Sequence, residues 1–232
     1  ELVQSGALGK IMRFTGTYDQ DQLLDESLPI TWRHINKLAG CGALGDLGSH
    51  LLSISQFIMG DITKVNAVAT TVFPKRPKCA GSDELVDVEN EDIMTFTAEY
   101  ANGAIGQIAC SRVATGRKNY LCYEIQGTKG SVRYDLERMG EVQVYFQSDN
   151  ERDRGFRTVL LNPKMKGYSA FQPAGGISIA YNDMKILEVH ALFDAITNGA
   201  DYTTDFEFGY KIDRTVAAVI ESSKTREWVD VK

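Results

Sequence analysis

Apolar and polar positions alternate through the middle of the chain. Met94, Phe96, Ala98 and Tyr100 occupy every second place, with Thr95, Thr97 and Glu99 between them. A period of two marks a strand with one buried face. Leu121, Tyr123 and Ile125 repeat it, and residues 10–18, 62–73, 132–134, 142–146 and 157–161 read as further strands. Asn102-Gly103 separates the run ending at Tyr100 from a return strand through Ile105 and Ile108, as a hairpin turn does. Gly127-Thr-Lys-Gly130 supplies another turn. Connections this short make the sheet predominantly antiparallel.

The period changes in three places. Leu47, Leu51, Ile54 and Ile58 follow helical spacing, between the glycine run at residues 40–45 and a stop at Gly60. A second helix is expected over residues 182–197, closed by Asn198-Gly199. Thr204-x-x-Glu207 reads as the capping box of a third, which carries Phe208, Ile212, Val216 and Val219 inward. Trp228 to Val231 suits a final strand. Helices at both ends with strands between them predict an α+β fold. The expectation is one domain over residues 1–232, with a large, open, mostly antiparallel β-sheet and helices packed on one face.

Composition removes several classes of function. The net charge is −6, with no long basic run, which argues against nucleic acid as a partner. No apolar stretch approaches the roughly 18 residues of a membrane span. No basic n-region with an apolar h-region follows Glu1, so no secretory signal is expected. Cys41, Cys79, Cys110 and Cys122 are scattered without a CxxC spacing. They read as reduced thiols of a cytoplasmic protein, with no metal site.

Two motifs invite chemistry. Gly40-x-Gly42-x-x-Gly45 has the spelling of a dinucleotide fingerprint. Residues 35–39 are too polar and too few for the buried strand that motif needs, and Asp61 lies at the wrong distance for a ribose-binding acid. The run reads instead as a loop that lets the backbone pass close to something and enter a helix. Asp46 and His50 stand four residues apart on that helix, about 40° apart around it, at the border of its apolar stripe. A carboxylate beside an imidazole raises its basicity, giving a general base for a hydroxyl proton. The same spacing also suits an early-turn acid and an ordinary helix histidine. A metal hydrolase using both as ligands would need a third ligand, and none has suitable spacing.

The surroundings narrow the choice. Trp32-Arg33, then Gly40-x-Gly-Ala-Leu-Gly-Asp-Leu-Gly-Ser-His50 and Gly60-Asp-Ile, closely resemble the glucose-fructose oxidoreductase / inositol dehydrogenase / MocA family. Ser5-Gly-Ala-Leu-Gly-Lys10, Glu91-Asp92, Asn102-Gly-Ala, Gly127-Thr-Lys-Gly-Ser131 and Trp228-Val extend the resemblance over the whole chain. It implies the C-terminal, substrate-binding and oligomerisation domain of an NAD- or NADP-dependent dehydrogenase that oxidises a secondary alcohol of a sugar, anhydrosugar or cyclitol. His50 would be the acid/base and Asp46 its partner, with Arg33 and Trp32 on the rim where substrate and nicotinamide meet. The family's Glu-Lys-Pro lysine and phosphate loop have no match here. The dinucleotide-binding domain is therefore expected to be missing from this chain, which alone should neither hold the cofactor tightly nor turn over sugar. The resemblance also implies a homo-dimer or tetramer through the sheet face. Ser111-Arg-Val-Ala-Thr-Gly-Arg-Lys-Asn119 with Asp135-Leu-Glu-Arg138 is most similar to members acting on cyclitols or anhydrosugars such as levoglucosan. Ser53 departs from the family, where many members place a second acid. A non-catalytic oligomerisation or sugar-binding module of the same fold is the alternative.

Overall fold

The structure, a computed structural model, describes residues 1–165 and 167–232. Its framework is a nine-stranded sheet. In chain order the strands are β1 (Ile11–Asp19), β2 (Ile62–Thr70), β5 (Ile93–Tyr100), β6 (Ile105–Ser111), β7 (Tyr120–Gly127), β8 (Gly130–Asp135), β9 (Glu141–Phe146), β10 (Arg157–Leu160) and β11 (Val229–Asp230). The remaining two, β3 (Lys75–Pro77) and β4 (Leu85–Asp87), form a separate hairpin that the sequence reading did not find. Spatial order in the sheet is β10-β9-β8-β7-β1-β6-β5-β2-β11. All its neighbours run antiparallel except β1 and β6, which pair in parallel through Arg13↔Ile105 to Asp19↔Ser111. β1 is therefore a central strand, and its C-terminal end opens in the middle of one sheet edge.

Among the described residues four α-helical segments accompany the sheet: α1 (Asn36–Ala39), α2 (Ser49–Met59), α3 (Tyr181–Asn198) and α4 (Phe206–Thr225). α2 and α4 cover one face, as expected. Alternation aims Phe14, Phe96, Ala98 and Ile108 at Leu51, Leu52 and Val219, all of them buried. Two side-chain bonds tie the layers at fixed points. Gln56 Nε2 of α2 donates to Thr215 Oγ1 of α4 at 3.1 Å, and Ala67 N of β2 donates to Ser222 Oγ of α4 at 2.9 Å.

Three details differ from the expectation. A π-helical turn, Leu44–Gly48, precedes α2 and rotates its phase. The buried side of α2 is consequently Leu51, Leu52, Ser55, Gln56 and Met59, while Ile54 and Ile58 are only partly covered. The cap of α4 is Asp205, whose carboxylate accepts from Phe208 N at 2.9 Å, one position beyond Thr204. α3 forms where expected but buries none of its residues, so helical packing on the sheet comes from α2 and α4.

A polar knot lies beneath the loops at the end of β1. Arg112 and Asp92 are both fully buried and meet at 2.9 Å through Nε and Oδ1. The other Asp92 oxygen accepts from Val72 N at 2.8 Å and Phe73 N at 3.2 Å. Arg76, also fully buried, donates to the carbonyls of Leu23, Asp25 and Leu28 and so anchors the loop after β1. Burying an ion pair is tolerated only when its spare hydrogen-bonding positions are filled. Asp92→Ala strands Arg112 and should cost about 3–5 kcal/mol in urea unfolding. A loss below about 1 kcal/mol would place the pair in solvent.

Candidate active site

The loop after β1, a short 3₁₀ turn and the start of α2 converge at the C-terminal end of β1. The turn, Trp32–His34, presents Arg33, and the π-helical turn presents Asp46. Arg33 Nε lies 3.4 Å from Asp46 Oδ2, with the guanidinium 4.5 Å from the centre of the Trp32 ring. Gln22 Nε2 reaches the same carboxylate oxygen at 3.4 Å. Trp32 is 53% exposed, so it stands at the rim and not in the core. Of the four residues singled out in the sequence, Trp32, Arg33 and Asp46 are thus in contact through Arg33, and His50 follows Asp46 one helical turn later.

His50 is solvent-exposed on the first turn of α2. The Tyr18 ring meets it edge-on, with centroids 5.7 Å apart. Asp46 makes no hydrogen bond to it; its carboxylate is engaged by Arg33 and Gln22. On its other side His50 borders an open groove of about 430 Å³ between α2 and α4, which Ser53, Tyr210 and Asp213 also line. Although the residue is exposed overall, partial desolvation of the ring pushes the His50 pKa below its ordinary value; Asp46 opposes this and Lys185 adds to it. The sequence reading expected the carboxylate to raise that basicity. Asp46 pulls in that direction, but desolvation outweighs it.

Several residues of the region escaped the sequence reading. Tyr18 OH donates to Asn119 Oδ1 at 2.7 Å, and Gln20 Nε2 donates to the same oxygen at 2.8 Å. Tyr18 is the last buried position in the two-residue period of β1, and Gln20 follows it at the same spacing, which is the signal that could have found them. The two segments 111–119 and 135–138 meet here: Glu137 Oε1 accepts from Lys118 N at 3.1 Å and Asn119 N at 3.0 Å. Partly buried amides and a phenol beside an imidazole form a surface able to bind hydroxyl groups.

The other histidines are placed elsewhere. His34 is fully buried, with Nδ1 accepting from Thr31 N at 3.0 Å. Burial, then Arg112 and Arg76, hold its pKa below the usual value. His190 lies on the exposed surface of α3. Among the described residues no group of three or more His, Cys, Asp or Glu is arranged to hold a metal. No helix there is long and apolar enough to cross a membrane. Residues 40–45 follow α1, not a strand, and the N–H groups of Gly42 and Leu44 are taken by Glu91. The loop therefore does not fit a pyrophosphate.

Comparison with known proteins bears on the family and the fold. The model of the GFO/IDH/MocA C-terminal domain matches residues 1–133. Levoglucosan dehydrogenase of Pseudarthrobacter phenanthrenivorans is 38% identical over 242 residues, covering 99% of this chain and 62% of its own. A structure of levoglucosan dehydrogenase in complex with NADH and levoglucosan superposes with a TM-score of 0.94 at 37% identity, over 100% of this chain and 61% of that one. An NAD binding oxidoreductase from Klebsiella pneumoniae gives 0.94 at 39% identity, over 100% and 62%. The chain thus spans about three fifths of the length of these relatives.

Both depressed histidines make stability depend on pH. Their folded-state pKa values lie below the unfolded value of about 6.5, so the unfolded chain binds more protons in that window. The urea midpoint should therefore fall as pH drops from about 7 to 5. His34→Gln should flatten that fall, and a midpoint that rose towards pH 5 would contradict the direction of both shifts.

Proposed function

The chain belongs to the GFO/IDH/MocA C-terminal domain family, and on that footing we propose that it is the substrate-side domain of a nicotinamide-dependent sugar dehydrogenase. The reaction is oxidation of a secondary alcohol on a sugar, anhydrosugar or cyclitol. The observation that carries the reading is the placement of Asp46 and His50 at the open end of β1, between the Arg33–Trp32 rim and the Tyr18–Gln20–Asn119 amide cluster. Similarity to levoglucosan dehydrogenase favours an anhydrosugar.

His50 acts as the acid/base. Its depressed pKa leaves the imidazole neutral near pH 7, so it is free to accept the substrate's hydroxyl proton. Asp46 stabilises the imidazolium that results and offers its remaining acceptor positions to a neighbouring hydroxyl. Arg33 holds that carboxylate in place, and Trp32 shields the rim. A bound NAD or NADP supplies the hydride acceptor. Because residues 40–45 do not fit its pyrophosphate, we place the cofactor in a separate dinucleotide-binding domain, in the two fifths of the relatives' length that this chain does not span.

The sheet face opposite α2 and α4 carries Arg13, Thr15, Thr95, Gln107 and Glu124 around an open depression of about 450 Å³. A homo-dimer through this face is part of the proposal, as is a cytoplasmic setting consistent with four free cysteines. Light scattering should give an even-numbered oligomer; a monomer at high concentration would remove the assembly claim.

In the full-length enzyme, His50→Asn should lower kcat by about 10²–10⁴-fold, the usual contribution of general acid–base catalysis, with little change in cofactor affinity. Asp46→Asn should lower kcat as well and move the His50 ionisation further down in pH, since the imidazolium loses its anionic neighbour. Wild-type kcat in His50→Asn would leave the non-catalytic sugar-binding module as the reading.

A further inference from the structure

The glycine run at residues 40–45 has the form of an anion-binding loop, and its anion is internal. The N–H groups of Gly42 and Leu44 each donate to a carboxylate oxygen of Glu91 at 2.9 Å. The N–H of Ala43, between them, donates to the Glu91 backbone carbonyl at 3.0 Å. Such N–H groups at a helix start have no partner within the helix. One residue therefore satisfies three in succession. The approach is so close that a Cβ on Gly42 would lie 2.0 Å from the Glu91 carbonyl oxygen.

The residues beside Glu91 hold the opposite wall. Asn90 Nδ2 donates to the Arg33 carbonyl at 2.9 Å, and Asp92 pairs with Arg112, whose NH1 donates to that same carbonyl at 3.3 Å. Residue 91 thus fixes where the helix bearing Asp46 and His50 begins, and residue 90 fixes where Arg33 stands. The 3.4 Å contact between Arg33 and Asp46 closes the ring.

We propose that Glu91 is a positioning residue for Asp46 and His50, acting as the resident anion of the loop at residues 40–45. Its consequence for turnover rests on the acid–base reading above, whereas its effect on the His50 titration, measured in the full-length enzyme, does not. The groups facing His50 are Asp46 on its own helical run, Tyr18 from β1, Lys185 from α3, and Tyr210 and Asp213 across the α4 groove. Of these, Asp46 is the one whose position depends directly on the loop.

This chain contributes three histidines, and NMR titration resolves His50 once its signal is assigned through His50→Gln. Glu91→Ala should lower the His50 pKa by roughly half a unit or more, because Asp46 loses its fixed place beside the ring. Added formate should occupy the vacated N–H groups, restoring the titration and raising Tm saturably in Glu91→Ala and not in the parent. Asn102→Ala is the control: Asn102 Nδ2 donates to the Met59 carbonyl at 2.9 Å, at the far end of α2. It should lower Tm and leave His50 unmoved. Should Glu91→Ala fail to fold, Glu91→Gln, which keeps one acceptor oxygen and leaves no room for formate, is read by the His50 titration alone. The proposal is overturned if His50 titrates unchanged in the folded Glu91 variant, if Asn102→Ala moves it equally, or if formate restores nothing in folded Glu91→Ala. Should the titration respond while His50→Asn keeps full turnover, the acid–base reading fails and the positioning role stands.

Discussion

The buried pairing of Asp92 with Arg112 is the constraint on which the rest of the site depends. Each charge is fully removed from solvent, and each is used up by hydrogen bonds to backbone that would otherwise be irregular. Asp92 holds the turn after β2, Arg112 holds the carbonyl of Arg33, and the backbone between them carries Asn90 and Glu91 to their own partners. A loop-built site is ordinarily mobile, because loops bury little apolar surface. Here charge-assisted hydrogen bonds replace the missing apolar contacts. Through the carbonyl of Arg33, that pair reaches the residue that meets the Asp46 carboxylate.

That arrangement explains which features were legible in the sequence. The strands could be read because one face of the sheet is buried under α2 and α4 while the other is not, which writes a period of two most clearly into β5. Asp46 and His50 could be read because their spacing and the motif around them are local. The π-helical turn could not: Ala-Leu-Gly-Asp-Leu-Gly suits an ordinary helix equally well, and the bonds that Gly42 N and Leu44 N make to Glu91, far along the chain, leave no local signal. The buried stripe of α2 shifts with that turn. Glu91 itself was visible only as part of a family resemblance, since a carboxylate that caps a helix from some fifty positions away leaves no periodic trace. The β3–β4 hairpin was hidden similarly; its strands are short and its role is to deliver Arg76 to the loop after β1.

The site's electrostatics follow from the same economy. Asp46 pairs with Arg33 and Gln22 and favours the imidazolium of His50, while desolvation of the ring sets the net direction of the shift. A base held neutral is ready to accept a proton; one held as imidazolium is not. The glycine loop, which in other settings cradles a phosphate, is spent on an internal carboxylate. The proposed division of labour follows: this chain handles the sugar's proton, and a separate domain handles the dinucleotide.

The pH dependence of kcat/KM tests that division most directly, because it reports ionisations of the free enzyme. It should be measured in the full-length enzyme with levoglucosan and NAD, beside an NMR titration of His50 in the same protein. The account predicts that kcat/KM rises with pH through one ionisation, displaced below the ordinary histidine value and coincident with that of His50. A profile that is flat across the His50 titration, or governed by a group ionising well away from it, would contradict the assignment of His50 as the base.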